Sequence, residues 1–368
     1  MKTLIAIDTI KDFEDSVCMG EIFKKVLSSK SYPIPFLDGG EGTIESMKFI
    51  SGGVYKYVNV HNPLNEAITA RYLLKDDFAT IEMAESSGLS LFYKEDLDVM
   101  NASSLGLGEV LIDALDNGAR SFYIGLGDSA CNDMGMGMLY ALGARFYDEE
   151  DNSLSPVAKN LSKVKRIDID KIDERFKRAN INIATSSEMT LFGKNSFLED
   201  RAYRKGASDY DVARLFRGCE NFIDRTSELL GVGNVDFPSL GSGGGCAWAL
   251  FTYFKAKISE PMDYILEKVN FREMIKDMDF LILGEDLSQF NAYSSISMAK
   301  LAKRYNDEVK IIFLHNGSDK KLDNSEYFDY IFDYEMASNL DKKSILEEIK
   351  KIAREVDKTY IIKPEIQA

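Results

Sequence analysis

The segment that most constrains the fold is residues 121–143, SFYIGLGDSACNDMGMGMLYALG, in which a short apolar strand leads into glycines and then into a helix. Gly125 and Gly127 have no side chain and tolerate positive φ, so backbone amides at this turn can approach an anion closely. A strand, a glycine turn and a helix in this order are typical of α/β folds, whose ligands bind at the carboxyl ends of strands.

Polar side chains follow these glycines in the same turn. Ser129 and Asn132 can hydrogen-bond hydroxyl groups or phosphate oxygens, and Asp133 can hold a divalent metal or accept a proton. In the alternative interpretation, Ser129 or Asn132 simply caps the helix that starts near Met134. On this segment alone the two interpretations are equally supported.

A second turn of the same character, DGGEGT at 38–43, favours ligand binding. It brings two carboxylates and three glycines together directly before a helical pattern. Carboxylates this close repel each other unless a cation, a basic side chain or helix-terminal amides offset the repulsion. A solvated turn with Asp38 as N-cap explains one acid but not both, so a functional use is the better interpretation.

A third glycine cluster, GSGGG at 241–245, precedes another helical segment. Free amides at such a helix start can cradle a phosphate. The glycines can equally let a helix press closely on a strand. We favour ligand contact because this is the third turn of its kind.

The two ends of the chain share one pattern. KTLIAI at 2–7 predicts a buried parallel strand that ends in Asp8, and residues 279–368 alternate apolar strands with helices. Residues 54–84 instead alternate apolar and polar side chains, as antiparallel or mixed strands do. We therefore expect one α/β domain made from both termini, with a second domain inserted.

Composition excludes several classes of function. A net charge of −15 argues against long nucleic-acid contacts, which need clustered Lys and Arg. Four scattered cysteines fit neither a disulfide framework nor a zinc site, and only two histidines are present for any triad. The first apolar run is too short for the signal peptide that a secreted protein would carry, and no run of roughly 18 uncharged apolar residues occurs. We expect a cytoplasmic protein without a membrane span.

Together these motifs resemble the bacterial glycerate kinases of the two-domain type over nearly the whole chain. The matching stretches occur in the family's order: AIDTIKDF, PFLDGGEGT, NPL, IEMAESSGL, LGLGE, GLGDSACNDMGMGMLYALGARF, RKGA, GSGGG and DFLILGED. The resemblance implies a flavodoxin-like parallel-sheet α/β domain built from 1–66 plus 275–368 and an inserted α/β domain over 67–274. It also implies an active site in the cleft between them, and phosphoryl transfer from ATP, with Mg²⁺, to a hydroxyl of glycerate.

The chain departs from the family pattern at several motif positions. Asp128 and Met134 stand where the family has glycines, and Thr185 to Leu191 replace a segment that contains an acid. The family's Gly-Glu-Gly-Arg-Leu-Asp appears as the shorter Gly284-Glu285-Asp286-Leu287-Ser288, without the arginine. Loss of an arginine removes positive charge that stabilises a transferring phosphoryl group. Lys11, Lys205 or Arg204 could substitute, although lysine lacks the bidentate fork.

The motifs and the resemblance together give a set of predicted site residues. The predicted catalytic residues are Asp8, Lys11, Asp38, Glu41, Asn132 and Asp133, and the predicted substrate-binding residues are Ser129, Lys205, Gly39 and Gly40. The predicted cofactor-binding residues are Gly241, Ser242, Gly243, Gly244, Gly284 and Glu285, with Asp133 and Glu285 as metal ligands. Which carboxylate is the base and which binds Mg²⁺ is left open.

Two alternatives stay open at this point. The altered motifs also suit a catalytically weakened relative that binds glycerate-like acids or nucleotide as a sensor. The bulkier Leu107, Cys131 and Met134 also suit a kinase for a different small hydroxy acid. Either way we expect small-molecule partners, neither nucleic acid nor membrane, and a homodimer is an open option.

Overall fold

The computed structural model describes residues 1–8, 15–285, 293–316, 325–334 and 340–362, so the predicted site residue Lys11 lies outside the described part. The strands there are β1 (Lys2–Ile7), β2 (Lys30–Pro33), β3 (Val54–His61), β4 (Ala67–Lys75), β5 (Phe78–Glu82), β6 (Ser121–Gly125), β7 (Arg145–Tyr147), β8 (Arg166–Asp168), β9 (Asn180–Ala184), β10 (Lys257–Ser259), β11 (Phe280–Gly284), β12 (Lys310–Asn316) and β13 (Tyr330–Tyr334).

The α-helices follow in the same numbering by chain order. They are α1 (Ser16–Val26), α2 (Thr43–Ser51), α3 (Ala84–Ser87), α4 (Leu105–Asp116), α5 (Met136–Ala141), α6 (Glu174–Lys177), α7 (Asp200–Arg204), α8 (Asp209–Leu230), α9 (Cys246–Phe254), α10 (Pro261–Lys268), α11 (Phe271–Met274), α12 (Tyr293–Tyr305) and α13 (Lys342–Val356). Among these described helices, none combines the length and the apolar character that a bilayer crossing requires.

The chain divides into two compact units. The first comprises Met1–Leu37, Glu45–Ile50 and Met262–Ala368, and the second comprises Asp38–Ile44 and Ser51–Pro261. These limits differ from the predicted boundaries after residues 66 and 274. Residues 54–61 fall in the second unit because β3 pairs along its whole length with β4. The predicted site in a cleft between the domains stays a prediction.

The first unit contains a five-stranded parallel sheet in the order β13-β12-β11-β1-β2. Numbered within this unit alone, the order is 2-1-3-4-5 from the β2 edge, which is the flavodoxin-like order. Met19 and Phe23 of α1 and Ile349 and Ile352 of α13 are buried in the core beside this sheet. The predicted flavodoxin-like domain from both chain ends is confirmed.

The second unit contains a six-stranded mixed sheet in the order β10-β9-β6-β5-β4-β3. Strands β3, β4 and β5 are antiparallel neighbours, as the alternation over residues 54–84 predicts, whereas β5, β6, β9 and β10 run parallel. Aromatic side chains fill its core: the ring of Phe122 lies 5.3 Å from that of Phe176, and Phe222 lies 6.0 Å from Trp248. This large core fixes the carboxyl ends of β5, β6 and β9 beside one another.

Candidate active site

The DGGEGT loop lies against the carboxyl ends of β6 and β9 within the second unit. The backbone N–H of Gly127 donates to the Gly39 carbonyl at 2.9 Å, and Ser186 N–H donates to the Asp38 carbonyl at 3.1 Å. Gly39 has φ +90°, and a Cβ atom there would collide with the Ala184 carbonyl oxygen. Only glycine allows this close approach. The DGGEGT loop and the turn of the 121–143 segment therefore lie at the same edge of the sheet.

Lys205 is the centre of the predicted substrate-binding group. Its Nζ donates to Ser129 Oγ at 3.0 Å, to the Cys131 carbonyl at 2.7 Å and to Asn132 Oδ1 at 2.8 Å. The side chain is buried, and an ammonium group has three protons to donate. All three are therefore used within the protein, which favours a positioning role for Lys205 in the turn. The substrate-binding roles of Lys205 and Ser129 stay predictions.

The Asn132 amide has one half engaged and one half open. Because Lys205 donates to Oδ1, the Nδ2 group is turned away from the lysine. Nδ2 is buried and has no hydrogen-bond partner among the described residues. A buried donor left unpaired costs roughly 1–3 kcal/mol. A ligand that brings an acceptor oxygen, such as a carboxylate, hydroxyl or phosphate, would satisfy it.

The charge of Lys205 predicts a pH dependence of turnover. Burial lowers its pKa to about 8 from the ordinary lysine value of 10.5. The neutral amine loses one donor, so we expect kcat to fall as pH rises through about 8. Between pH 8 and 10.5 the lysine holds its proton in the unfolded state but not in the folded state, so this group makes the free energy of unfolding rise with pH. Unfolding therefore does not explain the loss of kcat.

The measurement is kcat at saturating substrates from pH 6.5 to 9.5, with ADP quantified by chromatography to avoid coupling enzymes. Denaturant melts at the same pH values provide the stability control. A kcat that stays constant through pH 9 would contradict the requirement for a charged Lys205.

Asp133, predicted as an acid, base or metal ligand, has its carboxylate occupied by protein donors. Oδ2 accepts from Ser104 N–H and Oγ at 2.8 Å each and from Gly137 N–H at 2.9 Å, and Oδ1 accepts from Gly135 N–H at 3.2 Å. Burial raises the pKa of Asp133. These contacts tie the turn to the starts of α4 and α5 and favour a structural role. The catalytic and metal roles of Asp133 stay predictions.

Two other carboxylates lie beside Gly40, and one of them was not predicted. A Cβ atom on Gly40 would lie 2.5 Å from Asp128 Oδ2 and 3.1 Å from Asp38 Oδ1. Burial raises the pKa of Asp38, and the charge of Glu41 raises it further, while the Gly40 N–H opposes this by donating to Oδ1 at 2.7 Å. The carboxylate that was not predicted is Asp128. Its sequence signal is an aspartate at a position where the family has a glycine.

The backbone is left-handed at both altered positions of the central motif, a conformation that favours glycine. Asp128 has φ +53° and Met134 has φ +54°. A side chain in this left-handed region costs roughly 1 kcal/mol. This backbone conformation favours glycine at both positions, and this chain accommodates Asp128 and Met134 there.

The GSGGG segment is surrounded by protein. Gly243, Gly244 and Gly245 have positive φ, and a Cβ atom on Gly244 would overlap the Cys131 carbonyl. Ser242 Oγ pairs with Thr185 Oγ1 at 2.9 Å. The missing side chains let this segment press onto the Cys131–Asn132 backbone, which is close packing as in the alternative interpretation, but against a turn and not against a strand. Phosphate binding by Gly241, Ser242, Gly243 and Gly244 stays a prediction.

The remaining predicted residues lie in the first unit. The Asp8 N–H at the end of β1 donates to the Gly284 carbonyl at 2.9 Å. Glu285 follows β11 directly, and its Oε2 accepts from the Ser295 N–H at 2.9 Å. The structure thus brings Asp8, Gly284 and Glu285 together at the carboxyl edge of the parallel sheet. Their catalytic, cofactor and metal roles stay predictions.

The fold and this site define an α/β protein with a polar site at the carboxyl ends of its strands, and its similarity to known kinases makes it a phosphotransferase. The chain matches the model of the glycerate kinase family over residues 3–360. It is 35% identical to the glycerate kinase of Halalkalibacterium halodurans over 77% of this chain and 76% of that protein, and 32% identical to the glycerate 2-kinase of Escherichia coli over 84% of each. It belongs to the glycerate kinase family.

A solved structure agrees with this assignment. The crystal structure of a putative glycerate kinase 2 from Salmonella typhimurium LT2 superposes with a TM-score of 0.80 at 29% identity, covering 98% of each chain. The similarity therefore extends over both units and not over one motif alone.

Proposed function

We propose that this enzyme transfers the terminal phosphoryl group of ATP to a hydroxyl of glycerate. The observation that carries the proposal is the buried Nδ2 donor of Asn132, which has no partner in the described part of the chain and is oriented by Lys205 beside Ser129. Such a donor suits an oxygen-rich substrate. Relatives named glycerate kinase support glycerate as that substrate, and the one named glycerate 2-kinase supports its 2-hydroxyl as the acceptor.

The remaining roles are proposals from the residue chemistry. Asn132 Nδ2 binds a substrate oxygen, and Ser129 and Lys205 hold the amide in place. Asp8 and Lys11, which belong to the first unit, are proposed as catalytic residues. Gly284 and Glu285 of the same unit are proposed to bind the nucleotide. A general base must come within about 3 Å of the acceptor hydroxyl, and Asp38 and Glu41 are the candidates, since a raised pKa favours proton uptake by Asp38.

The oxygen donors near Gly40 fit Mg²⁺. Among the described residues no group of three His, Cys, Asp or Glu side chains could hold a metal. Mg²⁺ usually needs only one or two carboxylates together with substrate phosphates. Asp128 would supply one, and Asp38 the other where Glu41 serves as the general base, whereas the donors around Asp133 leave its carboxylate less suited. The bound ion would offset charge on the transferring phosphoryl group.

The test is ADP release by purified protein with MgATP and D-glycerate, against a control without acceptor and a panel of other small hydroxy acids. Phosphorus NMR of the product would identify the phosphorylated hydroxyl. Glycerate-dependent turnover supports the proposal. Turnover with a different acid only would replace the acceptor, and binding of ATP or glycerate without any turnover would favour the sensor alternative.

The biological setting is proposed on the same basis. We expect the enzyme to work in the cytoplasm on small-molecule partners, with neither nucleic acid nor membrane involved. Assembly as a homodimer stays a prediction. Light scattering of the purified chain would test it.

A further inference from the structure

A histidine and an aspartate face each other at the carboxyl edge of the parallel sheet in the first unit. His315 lies near the end of β12, and its register partner on β13 is Asp333. The His315 Nδ1 atom lies 2.6 Å from Asp333 Oδ1. The histidine is only 8% exposed, whereas the aspartate side chain is 70% exposed. Solvent therefore reaches this pair from the aspartate side.

The contact with Asp333 determines what the other ring nitrogen can do. A carboxylate only accepts hydrogen bonds, so Nδ1 carries a proton in this contact, and the tautomer protonated at Nδ1 alone presents a lone pair at Nε2. Nε2 is buried and has no hydrogen-bond partner among the described residues. Buried polar atoms in native proteins are nearly always paired. In that tautomer, the partner that satisfies Nε2 is a donor.

The location favours a ligand as the source of that donor. Gly284 of β11 pairs with Leu314 of β12, so Glu285 and His315 each come one residue later on adjacent strands. Asp8 follows β1, the next strand along the sheet. In flavodoxin-like sheets ligands bind at this carboxyl edge.

We propose that His315 Nε2 accepts a hydrogen bond from a hydroxyl group of a bound ligand, with Asp333 as the residue that positions the ring. The inference rests on the proposed function, which supplies two candidate ligands with hydroxyl groups: the nucleotide, through its ribose, and the hydroxy acid. No proton is transferred in this contact. It deepens the proposed function by assigning a recognition element to the first unit.

The clean substitution is His315→Asn in the full chain. An asparagine amide can still donate to Asp333 in place of Nδ1, while the Nε2 acceptor is removed. The matched control is His61→Asn, because His61 Nδ1 contacts Glu109 Oε1 at 2.8 Å in the same way but lies in the second unit. Calorimetry would compare ADP with 2′-deoxy-ADP and 3′-deoxy-ADP, and D-glycerate with D-lactate and 3-hydroxypropanoate.

We expect His315→Asn to bind either ADP or glycerate about tenfold more weakly, as the loss of one hydrogen bond predicts. The analogue that lacks the contacted hydroxyl should bind wild type and variant equally, which identifies the source. His61→Asn should bind all ligands like the wild type. If His315→Asn binds every ligand with the same affinity as the wild type does, Nε2 contacts water alone and the proposal is overturned.

A second measurement covers the case in which His315→Asn does not fold. The chain has two histidines, so in His61→Asn freed of any tag the remaining ¹⁵N-histidine signals belong to His315. Binding of the ligand should shift the Nε2 resonance, and an unmoved resonance in the saturated protein would overturn the proposal. Both measurements follow binding, so a protein that binds without turnover would refute the kinase function alone.

Discussion

Replacing Lys205 with methionine is expected to lower kcat by roughly 10²-fold or more, the scale of an active-site misplacement of about 1 Å. Methionine fills similar space but donates no hydrogen bond. The Cys131 carbonyl and Asn132 Oδ1 would then be buried without their donor, and the Asn132 amide could turn its Nδ2 away from the substrate. The measurements are kcat and KM with glycerate, together with a thermal melt.

The matched control is Lys194→Met, which removes an exposed lysine of the same unit and should leave kcat unchanged. Lys205→Arg should not restore activity, since a planar fork cannot reproduce three donors that diverge from one nitrogen. A folded Lys205→Met enzyme with kcat within threefold of wild type would refute the positioning role.

Replacing Gly244 with alanine is expected to lower the free energy of unfolding by about 2–4 kcal/mol. Gly244 has φ +65°, which costs an alanine roughly 1 kcal/mol. The added Cβ would also lie 2.7 Å from the Cys131 carbonyl carbon and 3.0 Å from Asn132 Cα. These are backbone atoms in a packed core, where overpacking costs roughly 1–3 kcal/mol. Denaturant titration would measure the loss.

Gly231→Ala separates the two contributions. Gly231 has φ +66°, nearly the same as Gly244, but a Cβ atom there would meet nothing within 4 Å. This control should lose only about 1 kcal/mol, the cost of the left-handed conformation. If the two variants lose the same free energy of unfolding, the contact between the glycine segment and Cys131 does not contribute to stability.

The strands and glycine turns could be predicted from sequence because their signals are local. The strand before Gly125 is a run of apolar residues, and the turns after it are marked by glycines that sit in positive φ or in close backbone contact. The matching apolar strands at the two chain ends predicted one α/β domain built from both termini, and the family resemblance implied that it is flavodoxin-like. The unit limits were harder to predict, because β3 continues a sheet whose other strands come later.

The roles of single side chains could not be predicted in the same way. Lys205 contacts Ser129, Cys131 and Asn132 from 73–76 residues away, and no local pattern encodes that distance. An aspartate in a motif looks the same whether its oxygens face a ligand or, as in Asp133, four protein donors. The His315–Asp333 pair joins two strands whose register appears only in the folded sheet.

The pairing of β1 with β11 has a consequence for the order of events on the ribosome. Thr3 faces Phe280, so this strand pair cannot form until synthesis has advanced 277 residues. At translation rates of about 5–20 residues per second this takes roughly 15–55 seconds. The middle of the chain emerges during that delay and can fold first. The apolar KTLIAI strand meanwhile lacks its β11 neighbour and waits with one edge unpaired.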